Sequence, residues 1–472
     1  MTEDRYKYLF PFEKVPAGAN ILIYGAGILG HEYCKQIQIT HYCNLVGMID
    51  RNYKKYQHSP VPVYAPDKIH TLSFDYVVIA LRGASGMLDV RNHLKNEGVP
   101  EEKIVFIFER SLPIQSSQPG TAASDIPVEE LAFSKKQPAF VLYIMGGIGD
   151  FVFIKRFVVE IIRLVPDCLI DIYCSKQSEI LRILYEDLKN INLIRDNLGT
   201  RYDAHKERYA LALFVSGTGF LQVDGFLPDQ FQSRNTNFVS MMKNLQQKIE
   251  EENFSPTTPR SAIFLRRIFN GQNCYSTYNY GVFQIFDKKV HIPLDNEQRK
   301  VFEKLQLGER YITLSCDAGA SKDNSVVAKS WPLENFSRLV QLLKEKYPAL
   351  PVVQLGAAEA ERIEGVDYYM LGKPFALAEH ILADAAFHID TEGGLVHLAS
   401  QLGIKCIVLF GPTWEKYYGY EDNVNIKAGT CHDCYGVYPD ANQCARGMKE
   451  PECMYSITPE MVMEKVEEHF RL

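Results

Sequence analysis

Short consecutive apolar runs alternate along this chain with apolar residues spaced three or four apart, the pattern of buried strands alternating with amphipathic helices. Ala19-Asn20-Ile21-Leu22-Ile23-Tyr24 reads as a strand that enters Gly25-Ala26-Gly27-Ile28-Leu29-Gly30 and a helix. Val46–Ile49, Tyr76–Ala80 and Lys103–Ile107 read as further strands, with a helix through Val90 to Leu94. Leu112 to Asp125 breaks the rhythm with Pro113, Ser116, Ser117, Pro119 and Gly120, the composition of a linker. The alternation resumes at Ala139–Ile144, with strands also expected at Leu169–Tyr173 and Tyr209–Val215 and a helix over Ile180–Tyr185. From Gly217 to about Ile292 aromatic and polar residues interleave without a period, which predicts helices and long loops. Tyr311–Ser315, Val352–Gly356, Tyr368–Gly372, Phe387–Ile389 and Lys405–Phe410 are the strands of a third unit. Its helices begin at Pro332, near Leu377, after Gly394 and at Thr458-Pro459. The expected fold class is α/β: an N-terminal Rossmann-like domain (1–110), a linker (111–137), and two further Rossmann-like domains (138–305 and 306–472) facing a cleft.

A length of 472 residues accommodates three such cores, and 46% hydrophobic with 23% charged residues is the balance of a globular chain rather than a disordered one. The net charge of −7 argues against a nucleic-acid binder that relies on a general positive field. The first residues, Met1-Thr2-Glu3-Asp4-Arg5-Tyr6-Lys7, lack the apolar core of a secretory signal, and no later run is long enough to span a bilayer. The expected location is the cytoplasm, free or in peripheral contact with the inner membrane.

Three strand-to-helix turns carry candidate chemistry. Gly25, Gly27 and Gly30 form G-x-G-x-x-G, and Asp50 stands at the end of the next strand, twenty residues past Gly30, where a dinucleotide fold places a ribose-binding acid. A nucleotide in this domain and a bare docking scaffold are both open readings. The second turn, Gly146-Gly147-Ile148-Gly149-Asp150, puts a carboxylate in the first turn of a helix, where it either complements the dipole or aims into a cleft as a base. The third, Asp390-Thr391-Glu392-Gly393-Gly394-Leu395-Val396-His397, joins a strand to a helix whose free N–H groups and positive end suit a diphosphate.

Four ordered motifs give these turns a common setting: Gly146-Gly147-Ile148-Gly149-Asp150, Lys329-x-Trp331-Pro332-x-Glu334-x-Phe336, Asp390-Thr391-x-Gly393-Gly394-x-x-His397-Leu398-Ala399, and Phe410-Gly411-Pro412-Thr413. With them the chain from about Ala139 resembles the lipopolysaccharide heptosyltransferases of glycosyltransferase family 9, and the front region resembles small Rossmann domains that precede some sugar-modifying enzymes of surface-glycan pathways. The resemblance implies a GT-B fold and transfer, with inversion, of a sugar from a nucleotide diphosphate donor, ADP-heptose in most of the family. It implies Asp150 as general base, Lys329 on the donor phosphate, Gly393 and Gly394 on the diphosphate, Asp390 toward the sugar, and Thr391 and His397 binding donor or bracing the turn. A lysine and a helix N-terminus would then stabilise the departing diphosphate, so no catalytic metal is expected. Trp331 and Phe336 are expected in the core. Glu392 stands where the commoner motif has glycine, which opens the identity of the sugar and places it among the candidate donor-binding residues. Gly146 and Gly147, without the usual serine pair, can offer only backbone donors on the acceptor side.

Cys431-x-x-Cys434 with Cys444 and Cys453 suits a tetrahedral thiolate site for structural zinc or iron, with His432 as a substitute ligand. Heptosyltransferases that modify autotransporter adhesins hold iron in a related finger. The expected partners are therefore a nucleotide-sugar donor and a glycan acceptor. A protein acceptor, or a non-catalytic nucleotide-sugar sensor, are the alternatives.

Overall fold

The computed structural model describes residues 8–107, 126–197, 201–231, 235–252, 260–285, 287–316, 327–427, 429, 431–437 and 443–470. The expected linker at 112–125 lies outside them. The first unit runs β1 (Asn20–Tyr24), α1 (Ile28–Thr40), β2 (Asn44–Ile49), β3 (Val63–Tyr64), β4 (Tyr76–Ile79), α2 (Ala84–Asn96) and β5 (Ile104–Val105), in a parallel sheet of order β3-β2-β1-β4-β5. The order reverses between β1 and β4, so the Gly25–Gly30 turn opens at the switch point where such sheets bind ligands.

The second unit runs β6 (Ala139–Met145), α3 (Ile148–Leu164), β7 (Leu169–Cys174), α4 (Ser178–Leu184), β8 (Ile191–Asp196), α5 (Arg201–His205), β9 (Leu211–Ser216) and β10 (Leu221–Phe226), followed by α6 (Thr236–Glu252), α7 (Arg260–Phe269) and α8 (Asn296–Glu303). Its sheet has the order β10-β9-β6-β7-β8, with β10 antiparallel to β9 at the edge. β10 interrupts the stretch expected to be helix and loop. Its register slips between Val223 and Gly225, so the sequence LQVDGF lacks the strict alternation that announces a strand.

The third unit runs β11 (Ile312–Leu314), α9 (Leu333–Lys346), β12 (Val352–Gly356), β13 (Tyr368–Leu371), α10 (Phe375–Ala383), β14 (Phe387–Thr391), α11 (Gly394–Gln401), β15 (Cys406–Phe410), α12 (Glu415–Tyr418), β16 (Val424–Lys427), α13 (Glu452–Tyr455) and α14 (Pro459–His469). All six strands are parallel, in the order β13-β12-β11-β14-β15-β16. Phe336, Leu339, Val340 and Leu343 form the buried stripe of α9, as the spacing predicted. Trp331 and Phe336 meet edge to face at 4.7 Å, and the Trp331 indole N–H donates to Ile457 O at 2.8 Å, so both are core residues. Thr458 caps α14 by accepting from Met461 N.

An N-terminal domain followed by two Rossmann-like sheets is the architecture of a GT-B protein with a companion domain in front. The two sheets meet through α3 and α11. α3 is apolar on nearly all sides, with Phe151, Phe153, Ile154, Phe157 and Val158 buried. A helix of that kind lies between layers, and here it lies between its own sheet and α11.

Candidate active site

Asp150 stands in the first turn of α3, where its Oδ2 accepts from Gly147 N at 2.7 Å. A Cβ on Gly146 or on Gly217 would overlap the Asp150 carboxyl, so glycine at both positions is what leaves room for it. Gly217 follows β9 and Gly146 follows β6, and these neighbouring strands bracket the switch point of the second sheet. Burial raises the Asp150 pKa, outweighing the Gly147 N–H bond and the nearby His397 and Lys329.

Across from it, the N-terminus of α11 packs directly on the N-terminus of α3. A Cβ on Gly394 would come within 2.9 Å of Ile148 Cβ, and one on Gly149 would come within 2.6 Å of the His397 ring. The two helix starts therefore touch through glycines, with the edge of Phe153 on His397 at 4.5 Å between ring centres. The N–H groups of Gly393 and Gly394 have no acceptor among the described residues.

Glu392, between β14 and α11, is buried; its N–H donates to Leu409 O at 3.2 Å, and three further contacts tie it to His397 and Lys329. One carboxyl oxygen lies 2.9 Å from His397 Nε2, the other lies 3.8 Å from Lys329 Nζ, and its backbone O accepts from Lys329 Nζ at 3.1 Å. Burial opposes its charge, but the Lys329 ammonium and then His397 outweigh burial and hold the carboxyl below its ordinary pKa. His397 Nδ1 faces Tyr420 OH at 3.0 Å. Tyr420 lies 23 residues past His397, beyond β15 and α12, a separation that no motif spacing marks.

The structure thus brings Asp150, Lys329, Glu392, Gly393, Gly394 and His397 together. It sets Asp390 and Thr391 inside β14, both buried. Asp390 Oδ1 accepts from Thr391 N at 2.7 Å, Oδ2 lies 3.5 Å from His388 Nε2, and burial raises its pKa. In the first sheet, Gly25 has φ +115° and a Cβ there would press on Ala80 O at 2.7 Å, while one on Gly30 would overlap Gly25 O. Gly27 has open space around it. Asp50 Oδ2 accepts from Ala26 N at 2.9 Å and Oδ1 from Asn52 N at 2.7 Å, so the acid braces the glycine turn.

The cysteine finger needs correction. Among the described residues, no group of three or more His, Cys, Asp or Glu side chains is arranged to hold a metal ion, and Cys431, Cys434, Cys444 and Cys453 are free thiols. The expected zinc or iron site is therefore withdrawn. Their chemistry differs from one to the next: a hydrogen bond with Cys453 holds the Cys431 pKa down to about 6, whereas burial pushes Cys434 up to about 12. His432 lies 3.0 Å from Asp433. The loop is pinned without metal: Asp433 N donates to Gly411 O, Cys434 N and Tyr435 N donate to Pro412 O, and the Trp414 indole donates to Tyr435 O. The spacing of the cysteines suggests ligands but does not show these backbone ties, which do the pinning.

Two helix starts facing each other across paired Rossmann-like sheets, with a carboxylate on one side and a lysine on the other, define a group-transfer cleft of the GT-B class. Residues 282–436 match the family described as glycosyltransferase family 9 (heptosyltransferase), and residues 18–105 match C2185-like, N-terminal. The chain carries a glycosyltransferase family 9 domain behind an N-terminal accessory domain, and it is a glycosyltransferase. No curated protein matches it. Similar solved structures include a glycosyltransferase family 9 protein from Veillonella parvula (14% identity, 70% of this chain and 96% of that one, TM-score 0.44). ADP-heptose LPS heptosyltransferase II from E. coli is 16% identical over 70% of this chain and 97% of that one, with TM-score 0.42. An iron-containing dodecameric glycosyltransferase from enterotoxigenic E. coli is 13% identical over 71% of this chain and 76% of that one, with TM-score 0.43. Among the described residues, no helix is long and apolar enough to cross a membrane.

Proposed function

We propose that this glycosyltransferase moves heptose, with inversion, from a nucleoside diphosphate donor such as ADP-heptose to a hydroxyl of a bacterial surface glycan, lipopolysaccharide or capsule. The observation that carries the reading is the contact between the α3 and α11 starts, which sets Asp150 opposite Lys329 and the free N–H groups of Gly393 and Gly394. In this reading the acceptor hydroxyl oxygen attacks the anomeric carbon, the bond from that carbon to the donor phosphate oxygen breaks, and its electron pair stays on the diphosphate. The hydroxyl proton passes to Asp150, through Oδ1 beside Gly217, since Oδ2 is held by Gly147. A raised carboxyl pKa makes Asp150 a stronger base than a solvated aspartate. Lys329 and the α11 N-terminus take the developing charge, with Glu392 kept in place by His397 when the diphosphate claims Lys329.

Domain limits of 1–110, 138–305 and 306–472, with a linker at 111–137, fit this division of labour. A cytoplasmic site with peripheral contact at the inner membrane would give access to a lipid-borne acceptor. The reading with a protein acceptor leaned on a metal-bearing finger, which the structure does not build. The test is a donor panel, ADP-heptose against other nucleotide sugars, scored by donor hydrolysis or transfer. ADP-heptose is expected to turn over fastest; preference for another sugar would move the specificity, and no donor binding at all would remove the reading.

A further inference from the structure

Lys329 has a carboxylate beside it that does not close on it. Glu392 Oε2 lies 3.8 Å from Lys329 Nζ, beyond the roughly 2.7–2.9 Å of a closed ammonium–carboxylate hydrogen bond. The other Glu392 oxygen is 2.9 Å from His397 Nε2. Attraction between the two charges favours closing the gap, so a competing hold on the carboxylate keeps it open.

The hydrogens along that hold follow from the groups that share them. The Glu392 carboxylate, kept ionised beside Lys329, can only accept, so the hydrogen between it and His397 sits on Nε2. Nδ1 is then left to accept from Tyr420 OH, 3.0 Å away. The Arg156 guanidinium on α3, a donor only, bears on the same hydroxyl and opposes a second positive charge on the ring. Tyr420, His397 and Glu392 are all buried, so water does not compete for these bonds, whereas the Lys329 side chain is 23% exposed and open to an incoming anion.

We infer that Tyr420 is a positioning residue of the donor site: through His397 it holds the Glu392 carboxylate off Lys329 and so keeps the ammonium free for a diphosphate. The role rests on the donor reading of Lys329 and adds to it a residue from the segment between α12 and β16, outside the motif. With the hydroxyl gone, His397 is tied at one nitrogen only, and Glu392 can close on Lys329 and compete with the diphosphate. The rings themselves are held by packing, Tyr275 edge-on to Tyr420 at 5.5 Å and Phe153 edge-on to His397 at 4.5 Å. Tyr420→Phe therefore removes one hydrogen bond and leaves the packing in place.

Calorimetry with inorganic pyrophosphate, a sugar-free probe of the donor turn, tests the role on the full chain. Tyr420→Phe is expected to weaken pyrophosphate binding about three- to tenfold. Glu392→Gln removes the competing charge and is expected to bind at least as tightly as wild type, with Tyr420→Phe then adding nothing to it; a merely structural loss would persist in the double variant. Lys329→Ala should lose the binding, and melting temperatures check that each variant folds. Nitrogen-15 histidine NMR of the wild type needs no variant of Tyr420: the His397 signals, identified by their absence in His397→Gln, should show the ring hydrogen on Nε2. Equal affinity in folded Tyr420→Phe, the same weakening with and without Glu392→Gln, or a ring hydrogen on Nδ1 alone overturns the role of Tyr420 and leaves the donor reading standing. Absence of pyrophosphate binding to the wild type removes the donor reading, and the role of Tyr420 with it.

Discussion

The glycine turn of the first sheet and the pair of glycine turns in the other two share one grammar, strand, glycines, helix, yet they end in different chemistry. At Gly25–Gly30 the acid at the turn, Asp50, is spent on Ala26 N and Asn52 N, and Ile28, the first residue of α1, is 69% exposed. At Gly146–Asp150 and Glu392–Gly394 each turn is closed by the other, and a carboxylate, a lysine and a histidine are enclosed between them. A helix start supplies anion affinity anywhere; chemistry needs a second element to bring ionisable groups to it and exclude water.

The largest effect that would break this contrast is expected from Asp150→Asn. If Asp150 is the base, transfer should fall by about 10²–10⁴ while nucleoside diphosphate binding persists; unchanged turnover would reduce the second turn to the status of the first. The acid limb of kcat/KM in the wild type should lie above the ordinary aspartate range, about 3.9, because burial raises the Asp150 pKa. Its raised pKa also means that ionised Asp150 costs stability as pH rises past the unfolded value, so Asp150→Asn should melt no lower than wild type at neutral pH.

Next in size is a pair of glycine substitutions. Gly394→Ala would drive a Cβ to 2.9 Å from Ile148 and is expected to cost about 1–3 kcal/mol, measured by urea unfolding, and to weaken donor binding. Gly27→Ala, with nothing within 4 Å, should stay within about 0.5 kcal/mol. Equal costs would erase the distinction between a packed turn and an open one.

Glu392→Gln is expected to act with the opposite sign to Asp150→Asn. The Glu392 pKa is lowered, so its ion contributes stability above the unfolded glutamate value, about 4.3, and that contribution is lost as pH falls through the lowered value. The substitution should lower stability at neutral pH and flatten its loss on acidification, read from melting temperatures across an acid series. The smallest effect concerns the finger: chelators should leave the melting temperature and the metal-free mass of the folded chain unchanged, since backbone bonds to Gly411 and Pro412 hold the loop.

Much of this was legible because it is local. Strand runs such as Ala139–Ile144, the stripe Phe336–Leu343 and the glycine turns each declare themselves within a few residues. What escaped depends on distant partners. β10 hides behind Asp224-Gly225, where its ladder slips. β3 is two residues long, too short for any period. Tyr420 reaches His397, and Gln401 reaches Arg156, across separations that no spacing rule covers. The cysteines show the converse error, since a ligand-like spacing does not fix where four thiols point.

The contact of Gly149 with His397 has a consequence for how such chains can be recombined. Each of those positions is constrained by a residue from the other sheet: a side chain at 149 would strike the His397 ring, and one at 394 would strike Ile148. A chimera joining the second sheet of this chain to the third sheet of a relative inherits only one half of each constraint. Crossover between β10 and β11, though it leaves every strand whole, would be expected to yield working hybrids only when residues 148–149 and 394–397 travel from the same parent.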